Sequence, residues 1–148
     1  EVNWRRVLET NLTAPFLLAK AVAAAMVARK SGKIINICSL ASEVTRPNIA
    51  PYTTAKGGLK MLTKSMAIEW AKYNVQVNGI GPGFFQTEMN TALVEDEQFN
   101  SWVCNRTPAG RWGDEDELAG AAIFLASDAS NYVNGQVIYV DGGFLSSM

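Results

Sequence analysis

Apolar residues recur every three to four positions over residues 3–30, at Leu17, Leu18, Ala21, Val22, Ala25 and Met26. That spacing predicts a helix with one apolar stripe. Pro15 lies inside the pattern and has no N–H to donate, so a kink or a division is expected there. Ser31-Gly32 ends the helix, and the β-branched run KIINICS (33–39) predicts a buried strand. Residues 40–51, with Pro47 and Pro51, read as a loop. A second helix is predicted over 52–73, with Leu59, Leu62, Met66 and Trp70 on one face. VQVNGI (75–80) predicts another strand, closed by Gly81-Pro82-Gly83. Residues 84–113 are mixed, with a short helix expected over 87–103. Asp114 followed three positions later by Glu117 is a capping box, opening a helix through Leu118, Ala121, Ala122 and Leu125. Asn134-Gly135 marks a turn, residues 136–140 read as the last strand, and no further element is expected in the tail DGGFLSSM.

Helices alternating with strands imply parallel βαβ units with right-handed crossovers and helices on both faces of the sheet. The fold class is therefore α/β, part of a doubly wound parallel sheet, with residues 1–148 read as one partial domain. The strand at 33–39 is too apolar for a solvent-facing edge, so something is expected to lie beside it.

Composition narrows the chemistry. With 48% apolar residues and 18% charged, 148 residues suffice for one compact domain. Thirteen basic residues against fourteen acidic leave a net charge of -1, which provides no electrostatic footprint for nucleic acid. There is no histidine, which removes an imidazole base and Cys/His zinc sites. No metal site is expected. Cys38 and Cys104 form no CxxC pair, so reduced thiols and a cytoplasmic setting are expected. No run reaches the roughly eighteen consecutive apolar residues of a spanning helix, and EVNWRRVLET does not read as a signal peptide. No membrane association is expected.

One constellation carries chemistry. Ser39 is followed thirteen residues later by Tyr52, and Tyr52 four residues later by Lys56. Tyr and Lys at i and i+4 share one helix face. A phenol titrates near pKa ~10, and a nearby cation is what makes it an effective proton donor or base at neutral pH. Ser39 ends a strand, where open parallel sheets bind ligands, and its hydroxyl could hold a carbonyl oxygen while Tyr52 exchanges its proton.

The chain resembles the C-terminal part of the short-chain dehydrogenase/reductase family. The strings that carry the resemblance are VLETNL around Asn11, IINICS ending in Ser39, YTTAK with Tyr52 and Lys56, VNGIGPGFFQTEM, and VNGQVIYVDGG. The resemblance implies a Rossmann fold and a nicotinamide cofactor, NADP or NAD. By the same resemblance, Asn11 holds a water in the proton relay and Ser39 orients substrate. Tyr52 is the catalytic acid/base, and Lys56 lowers its pKa and grips the nicotinamide ribose. Pro82, Gly83, Phe85 and Thr87 match the segment that cradles the nicotinamide carboxamide and pyrophosphate.

Residues 42–90, followed by RTPAGRWGDEDEL, are most similar to the sugar-acid subgroup of that family, the gluconate 5-dehydrogenases or 5-keto-D-gluconate 5-reductases. Such a substrate carries a carboxylate, for which Arg46 is a candidate partner. Arg106 is another and reads more readily as a surface residue. Glu43 and Asn48 could bond to substrate hydroxyls. The subgroup also implies a homo-oligomer, tetramer or dimer, pairing through helices 3–30 and 52–72. No GxxxGxG turn occurs, so the N-terminal half of the fold, roughly the first hundred residues of such a domain, is expected to be missing. Two alternatives are a catalytically silent half-domain that only self-associates, and a related reductase acting on another ketone such as a 3-oxoacyl thioester.

Overall fold

The computed structural model describes residues 1–147. A long N-terminal helical segment comprises α1 (Val2–Leu8), a π-helical turn (Glu9–Thr13) and α2 (Ala14–Arg29). The π turn answers the expectation for Pro15. Pro15 enters in the first turn of α2 and cannot donate to a carbonyl one turn earlier, and the wider turn absorbs that loss without dividing the helix. Lys30 in the left-handed conformation ends α2.

Strands β1 (Gly32–Ile37), β2 (Val75–Pro82) and β5 (Val137–Val140) form a parallel sheet in the order β1-β2-β5. β1 is shorter than the predicted 33–39, although Cys38 N–H still donates to the Ile80 carbonyl (2.7 Å) and prolongs the ladder. Helix α3 (Ala50–Trp70) starts two residues earlier than expected and joins β1 to β2. Its predicted stripe is buried: Leu59 and Met66 are in the core, and Leu62 and Trp70 pack beside it. Ala19 of α2, Ala67 of α3, and Ile34 and Val77 of the sheet complete that cluster.

Helix α6 (Ala119–Ala126) lies on the opposite face, behind the capping box formed by Asp114 and Glu117. The faces follow from β1, where alternate side chains point opposite ways. Ile34 and Asn36 meet α2 and α3, while Lys33 donates to Ser130 and Asn131 just beyond α6. Helices on both faces are thus present. Since β1→β2 and β2→β5 step the same way across the sheet on opposite faces, the two crossovers have opposite hands. Right-handedness therefore fails for one of them. The connection from β2 to β5 is long enough to permit this, spanning residues 83–136.

That connection contains what the sequence left mixed. β3 (Phe85–Gln86) pairs in parallel with β4 (Gly113–Asp114). The expected helix over 87–103 is two helices, α4 (Thr91–Glu95) and α5 (Glu97–Arg106). Asp96 separates them in extended conformation and caps α5 by accepting from Phe99 N–H (3.0 Å). The tail adds one 3₁₀ turn, Phe144–Ser146.

β1 is an edge strand among the described residues, and Ile37 on it is exposed. The α2 stripe likewise faces outward: Leu17, Leu18 and Val22 are exposed, and burial falls on Ala19 and Ala23. The segment Val2–Arg29 is also long and apolar enough to cross a bilayer by length and composition. It packs on α3 and β1 through α1, through Leu12 of the π turn, whose side chain lies against Gly58, and through the buried Ala19 and Ala23 of α2.

Candidate active site

Ser39 and Tyr52 meet in one cavity. Ser39 leaves the end of β1 in extended conformation and caps a 3₁₀ turn (Leu40–Ser42), its Oγ accepting from Ala41 N–H at 3.1 Å. One of its two lone pairs is thereby occupied, and the hydroxyl proton is left to donate. Tyr52 stands in the first turn of α3, 37% exposed. Both line a cavity of about 400 Å³ at the carboxyl ends of β1 and β2, where open parallel sheets take ligands. Arg46, Pro82 and Gly83 line it too.

Lys56 lies behind this pair. One turn along α3 from Tyr52, it is only 8% exposed, and its Nζ is 5.6 Å from the centre of the Tyr52 ring. The ammonium donates to the Ile37 carbonyl at 2.7 Å, and burial pulls its pKa below the usual lysine value. It therefore presents a charge to the phenol from the ring side. Lys56 and Asn11 share a second cavity, about 350 Å³, lined also by Thr10, Pro15 and residues 34–37. The Asn11 amide is used locally, donating to the Val7 carbonyl at 3.0 Å inside the π turn. Pro15 has no N–H to donate to a carbonyl of this turn, and Thr10, Asn11 and Pro15 all line the cavity.

The segment after β2 divides. Pro82 and Gly83 reach the main cavity, whereas Phe85 is buried with its ring against Gly113, and Thr87 is half-buried outside the cavity lining. Gly83 is required by space: a Cβ there would stand 2.7 Å from Asp141 Cα. Its N–H donates to the Val140 carbonyl at 2.9 Å. Asn90 fixes this loop by donating to the Phe85 carbonyl (2.9 Å) and also lines the cavity; no motif in the sequence singled it out.

Arg46 is exposed at the cavity wall, its guanidinium 5.8 Å from the Phe99 ring centre. Among the described residues its guanidinium has no ion-pair or hydrogen-bond partner. Arg106 is not a plain surface arginine. It is half-buried at the cavity, donates to the carbonyls of Phe144 (3.3 Å) and Ser147 (2.9 Å) and to Ser147 Oγ, and lies over the Phe144 ring. Glu43 does not reach the cavity lining; it bonds to Lys60 and Tyr139. Asn48 is exposed, in the left-handed conformation, and also outside the lining.

The sequence pattern did not reveal an aromatic group of which Phe84, Trp102 and Phe144 line the cavity. Phe84 sits among Phe99, Trp102, Trp112 and Phe144 at centroid distances of 5.9, 5.7, 5.6 and 5.4 Å. Among the described residues no group of histidine, cysteine and carboxylate side chains could hold a metal.

Residues 1–145 match the family model described as enoyl-(acyl carrier protein) reductase. The chain is 57% identical to the 5-keto-D-gluconate 5-reductase of Escherichia coli (strain K12), over 98% of this chain and 57% of that protein. It is 54% identical to the gluconate 5-dehydrogenase of Gluconobacter oxydans, over 99% and 57% respectively. Among solved structures, a gluconate 5-dehydrogenase from Burkholderia cenocepacia J2315, in complex with NADP and tartrate, superposes with a TM-score of 0.98 at 56% identity. That match covers 100% of this chain and 58% of the other. The chain thus spans a little over half the length of these relatives. With the Rossmann-type parallel sheet, the match across residues 1–145 and this superposition in agreement, the chain belongs to the short-chain dehydrogenase/reductase family.

Proposed function

We propose that the protein is an oxidoreductase that interconverts a ketone and a secondary alcohol on a sugar acid, 5-keto-D-gluconate and D-gluconate, using NADP(H) or NAD(H). The observation that carries this is the main cavity itself. Ser39 and Tyr52 line it, with Thr45 as a further hydroxyl residue, and among the described residues the only charged ones lining it are Arg46 and Arg106. A cavity lined by cations and no carboxylate favours an anionic substrate. Arg46, whose guanidinium is unengaged, is the partner for the substrate carboxylate.

The residues fit a nicotinamide cofactor. Gly83 lines the cavity and carries no side chain, since a Cβ there would stand 2.7 Å from Asp141 Cα, so its backbone admits close approach. Lys56 uses one donor on Ile37 and keeps two for ribose hydroxyls. Pro82, Gly83, Phe85 and Thr87 would hold the carboxamide and pyrophosphate, with the backbone of the buried Phe85 and the outlying Thr87 serving that role. When bound, the cofactor supplies the hydride.

The protein's part is position and proton. Ser39 O–H donates to the ketone oxygen, which fixes the carbonyl beside Tyr52. In the reducing direction Tyr52 gives its phenolic proton to that oxygen, leaving the alcohol and a phenolate. The Lys56 ammonium stabilises the phenolate, and the cavity it shares with Asn11 has room for the waters that return a proton. In oxidation each transfer reverses.

The unburied stripe of Phe16, Leu17, Leu18 and Val22, with Met61 and Ile68 on α3, supports pairing of copies through these helices into a dimer or tetramer. Two free cysteines, Cys38 buried and Cys104 half-buried, support a reducing, cytoplasmic setting. The test is substrate profiling of the protein as isolated from its source. 5-Keto-D-gluconate should give a kcat/KM about 10- to 100-fold above that of a neutral ketose or a 3-oxoacyl thioester, since a hydrogen bond to a charged group is worth about 1.5–3 kcal/mol. Preference for the thioester would replace the sugar-acid reading.

A further inference from the structure

Glu43 lies on the side of the loop away from the cavity and is tied to two other elements. Its Oε1 accepts from Tyr139 O–H at 2.7 Å and pairs with the Lys60 ammonium. The three residues come from three different parts of the site. Glu43 follows the turn that begins at Ser39 and precedes Arg46 by three residues. Lys60 is one turn along α3 from Lys56 and two from Tyr52. Tyr139 is on β5, and its ring lies against Gly81, immediately before the Pro82-Gly83 segment; a Cβ on Gly81 would stand 2.3 Å from that ring.

Other staples hold the loop to α3 alone. Ser42 Oγ donates to the Lys56 carbonyl (3.0 Å), and the hydroxyls of Thr45 and Thr53 are 3.0 Å apart. Among the described hydrogen bonds, Glu43 is the loop side chain that reaches β5. Lys60 and Tyr139 hold its carboxyl below the usual glutamate range, so it stays ionised as the acceptor of both bonds.

We propose that Glu43 is a positioning residue, clasping the loop of Ser39 and Arg46 to the helix of Tyr52 and to the strand beside Gly81. The inference rests on the reading of Ser39 and Tyr52 as the pair that handles the carbonyl oxygen. Without the clasp, that loop keeps its bonds to α3 and the packing of the Leu40–Ser42 turn near β2, but loses its side-chain hydrogen bond to β5.

The magnitude follows from alignment. A displacement of about 1 Å at a reacting pair costs up to about 100-fold in rate, and with the two α3 staples intact a loss of about tenfold is expected. The experiment compares Glu43→Ala, Glu43→Gln and Tyr139→Phe in the protein as isolated from its source, with Tyr52→Phe as control. Glu43→Ala and Tyr139→Phe should each lower kcat about tenfold while the Kd for NADP(H) stays within about twofold. Glu43→Gln, which can still accept from Tyr139, should restore most of the loss. Tyr139→Phe keeps the ring against Gly81, so it remains informative even if Glu43→Ala does not fold. Wild-type kcat in folded Tyr139→Phe overturns the clasp. So does an equal loss in Glu43→Gln and Glu43→Ala, or a loss confined to melting temperature. If Tyr52→Phe were fully active, it would instead be the underlying site reading that fails.

Discussion

Replacing Tyr52 by phenylalanine isolates the proton from everything else the residue does. The ring stays in the first turn of α3, with the Lys56 ammonium 5.6 Å from its centre, so the contact between cation and ring survives. Among the described residues the phenolic hydroxyl makes no hydrogen bond, and the side chain is 37% exposed. Its removal therefore strands no partner, and stability should change by less than about 0.5 kcal/mol. Catalysis is different. A positioned general acid contributes about 100- to 10,000-fold, or about 3–5 kcal/mol of barrier, and no second group in the cavity can give a proton as a phenol paired with a buried ammonium can. The assay follows nicotinamide absorbance at saturating cofactor and ketone, with cofactor Kd from fluorescence and folding from thermal melting. The expected variant binds cofactor within about twofold of wild type, melts unchanged, and has a kcat reduced at least about 100-fold. A folded Tyr52→Phe with a kcat within about tenfold of wild type would refute the role of the phenol.

Two further predictions concern charge. Lys56→Met should lower kcat/KM at least about 100-fold by removing the cation beside the phenol. Its melting temperature should equal or exceed wild type at neutral pH, because burial of the ammonium opposes folding while it is charged. That cost is present below the lowered pKa of Lys56 and fades as pH rises towards 10.5, so the gap between variant and wild type should narrow in alkaline melts. A gap that widens there would be inconsistent with the burial. At the other end, Arg111 and the Asp114 N–H hold the Glu117 carboxyl down at about 2. The stability it contributes is present above about 4.5 and lost as pH falls through 2. Glu117→Gln should therefore melt lower than wild type at neutral pH, with the difference vanishing in acid. A carboxyl titration by NMR with a midpoint near 4.5 would contradict this pairing.

The elements were legible wherever periodicity and end signals agreed. The α3 stripe of Leu59, Leu62, Met66 and Trp70 is buried as the spacing requires, and the Asp114–Glu117 box opens the turn into α6. The α2 stripe misled because periodicity reports that a face is apolar and not what covers it; within this chain the alanines do the packing. The split at Asp96 was hidden because a capping aspartate inside a polar stretch resembles any helix-surface acid. β3 and β4 are two residues each, too short for alternation to show. Ser39, Tyr52 and Lys56 stood out because one helix face and one strand end place them, so local spacing carries the geometry. Arg106, Asn90 and the Glu43–Lys60–Tyr139 group depend on pairings between distant positions, 96 residues apart for Glu43 and Tyr139, which no local pattern encodes.

The most direct measurement follows the hydride itself. The protein as isolated from its source is mixed with 5-keto-D-gluconate and NADPH carrying deuterium at the transferable position, and the product is analysed by mass spectrometry and NMR. The account predicts D-gluconate formed in equal amount to the NADP⁺ released, with a single deuterium on the carbon that was the ketone and an exchangeable proton on its oxygen. Absence of product with both NADPH and NADH, or gluconate without deuterium at that carbon, would contradict it.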